Sequence, residues 1–420
     1  MRPVGFPSSR LRLSAAGILS LLLVAPSPGA AQSAEELQRQ IEVLQRQLEK
    51  VQQQLEELKR QQRETGEQVR RAVERPEVPA GLARSGNDKV QLTVSGQVNR
   101  ALLFSDDGDR RDLFFVDNDN SSTRMRLVGR VRASEEFTVG TLFEVEFQSN
   151  PSNLVNQENE RGVGSGSFDE RHLDLFFEHA RYGKLSLGQG DTASNSASEI
   201  DLSGTAVVGY SSVSDMAGGL LFVDDDSGRT GIRVSDAFSN LDGLSRDDRI
   251  RYDTPRFAGF TLSASAVADE RWDVALRYRR QYGDTKVAAA VAYSDAPDAQ
   301  ERIDGSVSVL FGNGVNLTAA AGRDDPDQAG RDHPTFVYAK IGYLLDMFEV
   351  GRTALAVDIY SGRDIAADGD DSFSVGAFAV QNLDLLATQL YLGYRYYELD
   401  RDGLDLDPIN AVMTGARVKF

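Results

Sequence analysis

Apolar and polar residues alternate with a period of two along most of the chain beyond Lys89, beginning with Val90–Val98. Successive side chains of a β-strand point to opposite faces, so this pattern predicts strands with one apolar and one polar face. Short polar connections, such as Gly312–Gly314, alternate with longer ones rich in Asp, Gly and Asn. The predicted strands span residues 90–104, 122–133, 137–148, 169–179, 184–190, 248–254, 259–268, 271–282, 285–293, 302–311, 315–323, 334–343, 350–361, 372–383, 387–399 and 409–420.

The length of these segments points to a membrane. Most run 8–14 residues, and a tilted strand needs about 9–11 residues to cross a bilayer. A soluble β-sandwich is the alternative, but its strands usually have about 5–6 residues. Aromatic residues near the segment ends also match the interfacial girdles of membrane barrels, which have even strand numbers. The sequence therefore predicts an all-β membrane fold, a sixteen-stranded antiparallel transmembrane β-barrel over residues 90–420.

A different pattern precedes the predicted barrel. Apolar residues recur there at alternating steps of four and three, which is the heptad pattern of an α-helical coiled coil. We predict a coiled-coil stem over residues 32–74, because a lone helix with such a stripe has nothing to bury it against; an amphipathic helix packed on its own barrel is the alternative. Prolines and glycines then predict a linker over residues 75–89. The predicted core consists of Leu37, Ile41, Leu44, Leu48, Val51, Leu55 and Leu58.

The first 31 residues have the organisation of a secretory signal peptide. Three arginines precede an apolar run at residues 13–24, and the small residues Gly29–Ala31 follow it. A membrane anchor is the alternative, but it needs roughly 20 apolar residues. The run here is shorter and is followed by Pro26 and Pro28. We predict a signal peptide over residues 1–31.

Composition narrows the classes of function. The chain has no cysteine, which excludes disulfides, iron–sulfur sites and thiol nucleophiles. Its net charge of −18 argues against a nucleic acid partner, because phosphate binding needs clustered Lys and Arg. The sequence contains no HExxH, phosphate-loop or GxSxG motif. We expect no catalytic residues, no metal site, no cofactor and no enzyme activity.

Four segments in this order resemble Gram-negative general porins, and the stem and linker resemble those of the DcaP-like subgroup, which is associated with dicarboxylate-type anions. The resemblance implies a homotrimer in the outer membrane of a Gram-negative bacterium, with the stem in the periplasm and lipid and lipopolysaccharide around the barrel. It also implies insertion by the barrel-assembly machinery, with the terminal Phe420 as the assembly signal, although Val418 replaces the usual aromatic residue. The segments are Leu92–Gly96, Tyr182–Asp191, Arg249–Phe260 and Arg417–Phe420.

Strand parity predicts a row of basic residues on the lumen face. In the second predicted strand, Met125, Leu127 and Val131 face lipid, so the arginines between them face water. Similar parity in two later strands gives a second basic patch. Folding the first hairpin places Glu144 and Glu146 opposite two of these arginines, so ion pairs are the alternative there. The predicted ladder consists of Arg124, Arg126, Arg130, Arg132, Arg249, Arg251, Arg277 and Arg279.

For the second patch, neighbouring strands offer only Thr261, Ser263, Ala288 and Ala290, which carry no counter-charge. Uncompensated arginines along a lumen would favour passing anions. A wall that is simply kept wet and rigid by these charges is the alternative.

The longest connection runs from about Asp191 to Asp247. The resemblance implies that it folds into the lumen and that Asp191, Glu199 and Asp201 are constriction-loop acids; a surface loop with solvated acids is the alternative. The resemblance implies an outer-membrane porin for passive or weakly selective diffusion of small hydrophilic solutes, favouring small anions such as dicarboxylates. The alternative function is an envelope spacer or cell-wall tether whose barrel anchors the stem.

Overall fold

The computed structural model describes residues 89–164, 168–297 and 299–420, and β-strands dominate this part of the chain. The predicted signal peptide, the stem with its coiled-coil core, and the linker up to residue 88 lie outside the described residues. A single turn of helix, α1 (Val234–Ala237), occurs within a long connection. The strands are β1 (Gln91–Asp106), β2 (Arg111–Asp117), β3 (Arg124–Arg132), β4 (Phe137–Phe147), β5 (Phe168–His179), β6 (Gly183–Asp191), β7 (Leu221–Asp224), β8 (Gly228–Arg233), β9 (Arg246–Asp253), β10 (Phe260–Val267), β11 (Trp272–Tyr282), β12 (Thr285–Ala296), β13 (Gln300–Leu310), β14 (Val315–Pro326), β15 (Thr335–Phe348), β16 (Gly351–Arg363), β17 (Asp371–Leu383), β18 (Thr388–Asp400) and β19 (Ile409–Lys419).

The strands form a closed antiparallel barrel. Each pairs with its neighbours in chain order, and β1 closes the sheet against β19. Strands β2 and β3 share one position, because β2 pairs with the second half of β1 and β3 with the first half. With β7 and β8 forming a separate hairpin, sixteen positions remain around the barrel. The predicted sixteen-stranded antiparallel barrel is confirmed.

Side chains alternate between the two faces of the barrel wall, as the sequence pattern predicts. On the outward face Val94 and Leu392 are 43% and 52% exposed, whereas the inward neighbours Tyr391 and Ala354 are buried. An apolar outer surface of this kind suits contact with hydrocarbon. Among the described residues, no helix is long and apolar enough to span a membrane.

Both ends of the barrel sequence lie at the same edge, where the strand connections are short. Phe420 donates its backbone N–H to the carbonyl of Gly96 (3.0 Å) and accepts from the Gly96 N–H (2.9 Å), which ties the last residue into the closing strand pair. We call this edge the short-turn end. The long connections, including residues 192–245, leave from the opposite edge.

Residues 192–245 fold inside the barrel, and we call them the plug. Apolar plug residues such as Met216 and Phe238 pack with buried inward side chains of β14–β19, β1 and β2. The Tyr397 hydroxyl donates to the carbonyl of Val213 (2.8 Å), and the Tyr360 hydroxyl donates to that of Ser239 (2.8 Å). One side of the barrel interior is therefore dry protein, and a polar passage remains along the other side.

Candidate functional site

A polar cavity of about 580 Å³, which we call the constriction, lies between the barrel wall and the plug. The short insertion between β2 and β3 also reaches it, because the strand position is interrupted there. Basic side chains come from the wall, and most of the acidic ones come from the plug. The charged residues lining the cavity are Arg124, Arg171 and Arg246 opposite Asp119, Glu199, Asp215 and Asp242.

The wall arginines of the constriction share carboxylates rather than standing alone. Arg126 and Arg171 both bind Glu144, the second with an Nε–Oε1 distance of 2.8 Å. Arg171 also binds Glu146. The strand register places Arg126 opposite Glu144 and Arg124 opposite Glu146, as the hairpin predicts. These arginines therefore shape the cavity while much of their charge is neutralised.

Two of the four arginines in the second basic patch are also paired, contrary to the expectation from its neighbouring strands. Arg249 binds Asp174 at 2.6 Å, with both side chains less than 5% exposed, and Arg251 binds Asp253 at 2.8 Å. The expectation was wrong because Asp174 lies two strands away on β5 and Asp253 lies on the same strand as its partner. Arg277 instead donates to two carbonyl oxygens of the plug, at 2.6 Å each.

The three acidic residues predicted for the loop lie in three different settings. Asp191 is the last residue of β6, outside the plug, and pairs with Arg246 at 2.9 Å. Asp201 is buried against the wall, where it binds Lys340 at 2.7 Å. Glu199 lines the constriction.

Sequence reasoning missed the other acids of the constriction. Asp242 accepts hydrogen bonds from the backbone N–H groups of Ser196 (2.6 Å) and Ser198 (3.2 Å), so it joins the two limbs of the plug. The hydroxyl of Tyr210 donates to Asp215. These residues have no periodic pattern in the sequence, and only the folded plug brings them together.

Crowding of carboxyl groups in the plug raises their pKa values. Burial, and then the nearby charges of Asp242 and Asp215, raise the pKa of Glu199 to about 8. Burial likewise raises the pKa of Asp215 and of Asp242. At neutral pH the plug face of the constriction therefore carries less negative charge than it would if all its carboxyl groups were ionised.

The remaining arginines of the predicted ladder face the lumen nearer the short-turn end. Arg130 lies 4.0 Å from Glu178 and packs over the ring of Phe176. Arg132 and Arg279 are exposed, and neither forms an ion pair within the described part of the chain. The arginines of the ladder are therefore paired near the constriction and largely unpaired near the short-turn end.

Comparison with known proteins places these features in a family. A family model described as Gram-negative porin matches residues 78–402. Among solved structures, the chain is similar to an anion-selective porin from Comamonas acidovorans, with 15% identity, 79% of this chain and 100% of that chain covered, and a TM-score of 0.55. It is also similar to the outer membrane channel DcaP of Acinetobacter baumannii, with 13% identity, 80% and 99% coverage and a TM-score of 0.52.

A third similar structure is in-vitro folded OmpT of Vibrio cholerae in its trimer form, with 14% identity, 79% and 100% coverage and a TM-score of 0.51. At these identities the solved structures show a common fold. A comparison with curated protein sequences finds no match.

Proposed function

The chain belongs to the Gram-negative porin family and is, by family and fold, an outer-membrane diffusion channel, and from this premise we propose that it forms a homotrimer that favours small anions such as dicarboxylates. The preference we infer is weak, because Glu144 and Glu146 neutralise much of the charge of the arginines in the constriction. The proposal includes the stem in the periplasm, since both ends of the barrel lie at the short-turn end.

The observation that carries the anion preference is the row of inward arginines on β3. Arg124, Arg126, Arg130 and Arg132 occupy four of the five inward positions along one strand, with Val128 at the fifth, and face the polar passage. A guanidinium group holds a carboxylate with two parallel hydrogen bonds and stays charged at every relevant pH. A small carboxylate crossing the passage therefore meets one donor after another.

Two similar structures support parts of the proposal. The Comamonas acidovorans porin is described as anion-selective, and the OmpT structure of Vibrio cholerae is a trimer form. The polar side of the lumen in this chain offers what anion selectivity needs, namely basic side chains in a wall of low dielectric constant.

Planar lipid bilayers provide the test. Purified full-length protein in a tenfold KCl gradient should give a reversal potential of the sign set by chloride, and insertion of a trimer should give conductance steps in threes. Added succinate should reduce the chloride current by competing for the same arginines. Potassium preference would overturn the anion proposal, and solitary steps of single barrels would overturn the trimer.

A further inference from the structure

We propose that the anion selectivity of this channel is set between the constriction and the short-turn end, by cations of the lumen wall that are mostly unpaired. The inference rests on the proposed anion preference and assigns it to particular residues. We call this part of the lumen the basic vestibule. Its residues are Arg130, Arg132, Lys184, Arg279, Lys286 and Lys419.

Strand register places these side chains on the lumen face close to the short turns. Lys184 is the second residue of β6, Lys286 is the second of β12, and Lys419 is the last of β19. Arg279 lies opposite Ala288, one inward position away from Lys286 along β12. Inward parity therefore brings cations from five strands to one level of the passage.

Few counter-charges reach the vestibule wall. Glu178 lies 4.0 Å from Arg130 and opposite Lys184 in the strand register, and Asp253 lies opposite Lys184 on its other neighbouring strand. Lys184 also lies 4.8 Å from the centre of the Phe176 ring, which leaves its charge in place. The other four vestibule cations form no ion pair within the residues that the structure describes. The turns at the short-turn end carry charges of both signs, so the excess of positive charge comes from residues of the barrel wall.

The constriction has no such excess. Five arginines lie in or beside it, and seven carboxyl groups lie among them. With Asp119 and Glu199 protonated, since the pKa of each is raised to about 8, five carboxylates remain against five arginines and the net charge is close to zero. The arginines are Arg124, Arg126, Arg171, Arg246 and Arg417, and the acids are Asp119, Glu144, Glu146, Asp191, Glu199, Asp215 and Asp242.

Selectivity depends on the sum of charges that a passing ion experiences. A charge within about a Debye length of the ion acts on it, and paired charges cancel at that distance. The constriction therefore holds carboxylates by hydrogen bonds, whereas the vestibule concentrates anions over cations. The site that binds the solute and the site that selects its charge are separate in this channel.

The test neutralises three vestibule residues together in the full-length protein, as Arg132→Gln, Arg279→Gln and Lys286→Gln. These side chains are exposed to the lumen and unpaired, so the variant should fold and insert. A charge about 10 Å from the pore axis in screened water changes anion and cation concentrations by roughly 1.3-fold each in opposite senses. Loss of three charges should therefore lower the chloride-to-potassium permeability ratio about fivefold.

The matched control is Arg280→Gln. Arg280 neighbours Arg279 on β11 but faces outward, where it packs 5.0 Å from the centre of the Tyr282 ring. Its replacement should leave the permeability ratio at the wild-type value, because the barrel wall separates it from the passage. Loss of selectivity in this control as large as in the triple variant would overturn the assignment.

Two further results separate this inference from the proposed function. A wild-type channel that prefers potassium would overturn both. An anion-selective wild type whose triple variant keeps the wild-type ratio would overturn only the vestibule assignment. A larger fall in the ratio for Arg124→Gln than for the triple variant would also overturn it, since selectivity would then lie at the constriction.

Discussion

Replacement of Lys340 by methionine should release the plug from the barrel wall. The Lys340 ammonium group is fully buried on β15 and donates to the Asp201 carboxylate (2.7 Å), the Thr205 hydroxyl (2.9 Å) and the Gly209 carbonyl oxygen (2.6 Å). Methionine has a similar length but no donor. The Ser203 hydroxyl, 3.3 Å away, is a fourth acceptor. In Lys340→Met all four lose the ammonium group, and the Asp201 carboxylate, only 3% exposed, has no counter-charge.

The magnitude follows from the burial of both groups. Removing one partner of a buried ion pair costs about 3–5 kcal/mol, because the other charge remains desolvated and unpaired. That cost corresponds to a shift of roughly 10²–10⁴-fold in the equilibrium between docked and released plug. A released plug should increase and destabilise the current through the channel.

Single-channel recording and limited proteolysis measure this release. Lys340→Met should show larger, fluctuating conductance and new cleavage within residues 201–209. Lys286→Met is the matched control, since this lysine lies on the same lumen face without an ion pair. The double variant with Asp201→Asn should recover part of the loss through the coupling expected of contacting residues. If Lys340→Met channels keep the steady conductance of the wild type and a protease-resistant plug, the reasoning is refuted.

Three other predictions concern the constriction, the wall and the stem. Because the pKa of Glu199 is raised to about 8, raising the pH from 6 to 9 adds a negative charge to the constriction and should lower chloride permeability; Glu199→Gln should reduce this pH response. Gly190→Ala should lower the unfolding temperature at a cost of about 1–3 kcal/mol, because a Cβ there would lie 2.6 Å from an Arg249 nitrogen and 2.9 Å from Asp174. Deletion of residues 32–80 should leave conductance intact and weaken trimer assembly.

Each of these has a result that contradicts it. The pKa of Asp119 is also raised to about 8, so part of the pH response should remain in Glu199→Gln. A response of undiminished size in this variant would exclude Glu199 as a source. An unchanged unfolding temperature in Gly190→Ala, measured by the heat-dependent mobility of the folded barrel on gels, would show that the wall tolerates the methyl group. Lost uptake with intact trimers in the stem deletion would mean that the stem takes part in transport.

The strands of the barrel could be predicted because a wall between lipid and lumen imposes a period of two. Strand β4 begins at Phe137 as predicted, and β12 begins at Thr285. Strand β2 was missed, and its sequence explains why. Leu113 and Phe115 face outward, while Phe114 and Val116 are buried under the plug, so both faces are apolar and the alternation disappears.

The plug itself could not be predicted from local pattern. Its apolar residues have neither strand nor helix periodicity, and they are buried only because the wall offers inward aromatic residues. Tyr338, Tyr360 and Tyr397 occupy inward positions that a water-filled lumen would give to polar residues. These departures from the pattern are the one signal in the sequence that part of the interior is dry.

The charges were predicted in position but not in pairing. Parity placed Arg249 on the lumen face, and the register of the first hairpin predicted the partners of Arg124 and Arg126. Pairing with Asp174 reaches across β6, where Gly188 and Gly190 leave room for the Arg249 side chain. Asp215 and Asp242 reach the constriction only through the folded plug.

The central claim is that alternate residues of each strand face a water-filled passage and the membrane. The chain has no cysteine, so single cysteines at Leu276, Arg277, Tyr278 and Arg279 can be tested one at a time with a charged, membrane-impermeant thiol reagent during current recording. We expect rapid modification with a change in current at 277 and 279, and none at 276 and 278. Equal reactivity at all four positions, or modification without effect on the current, would contradict the account.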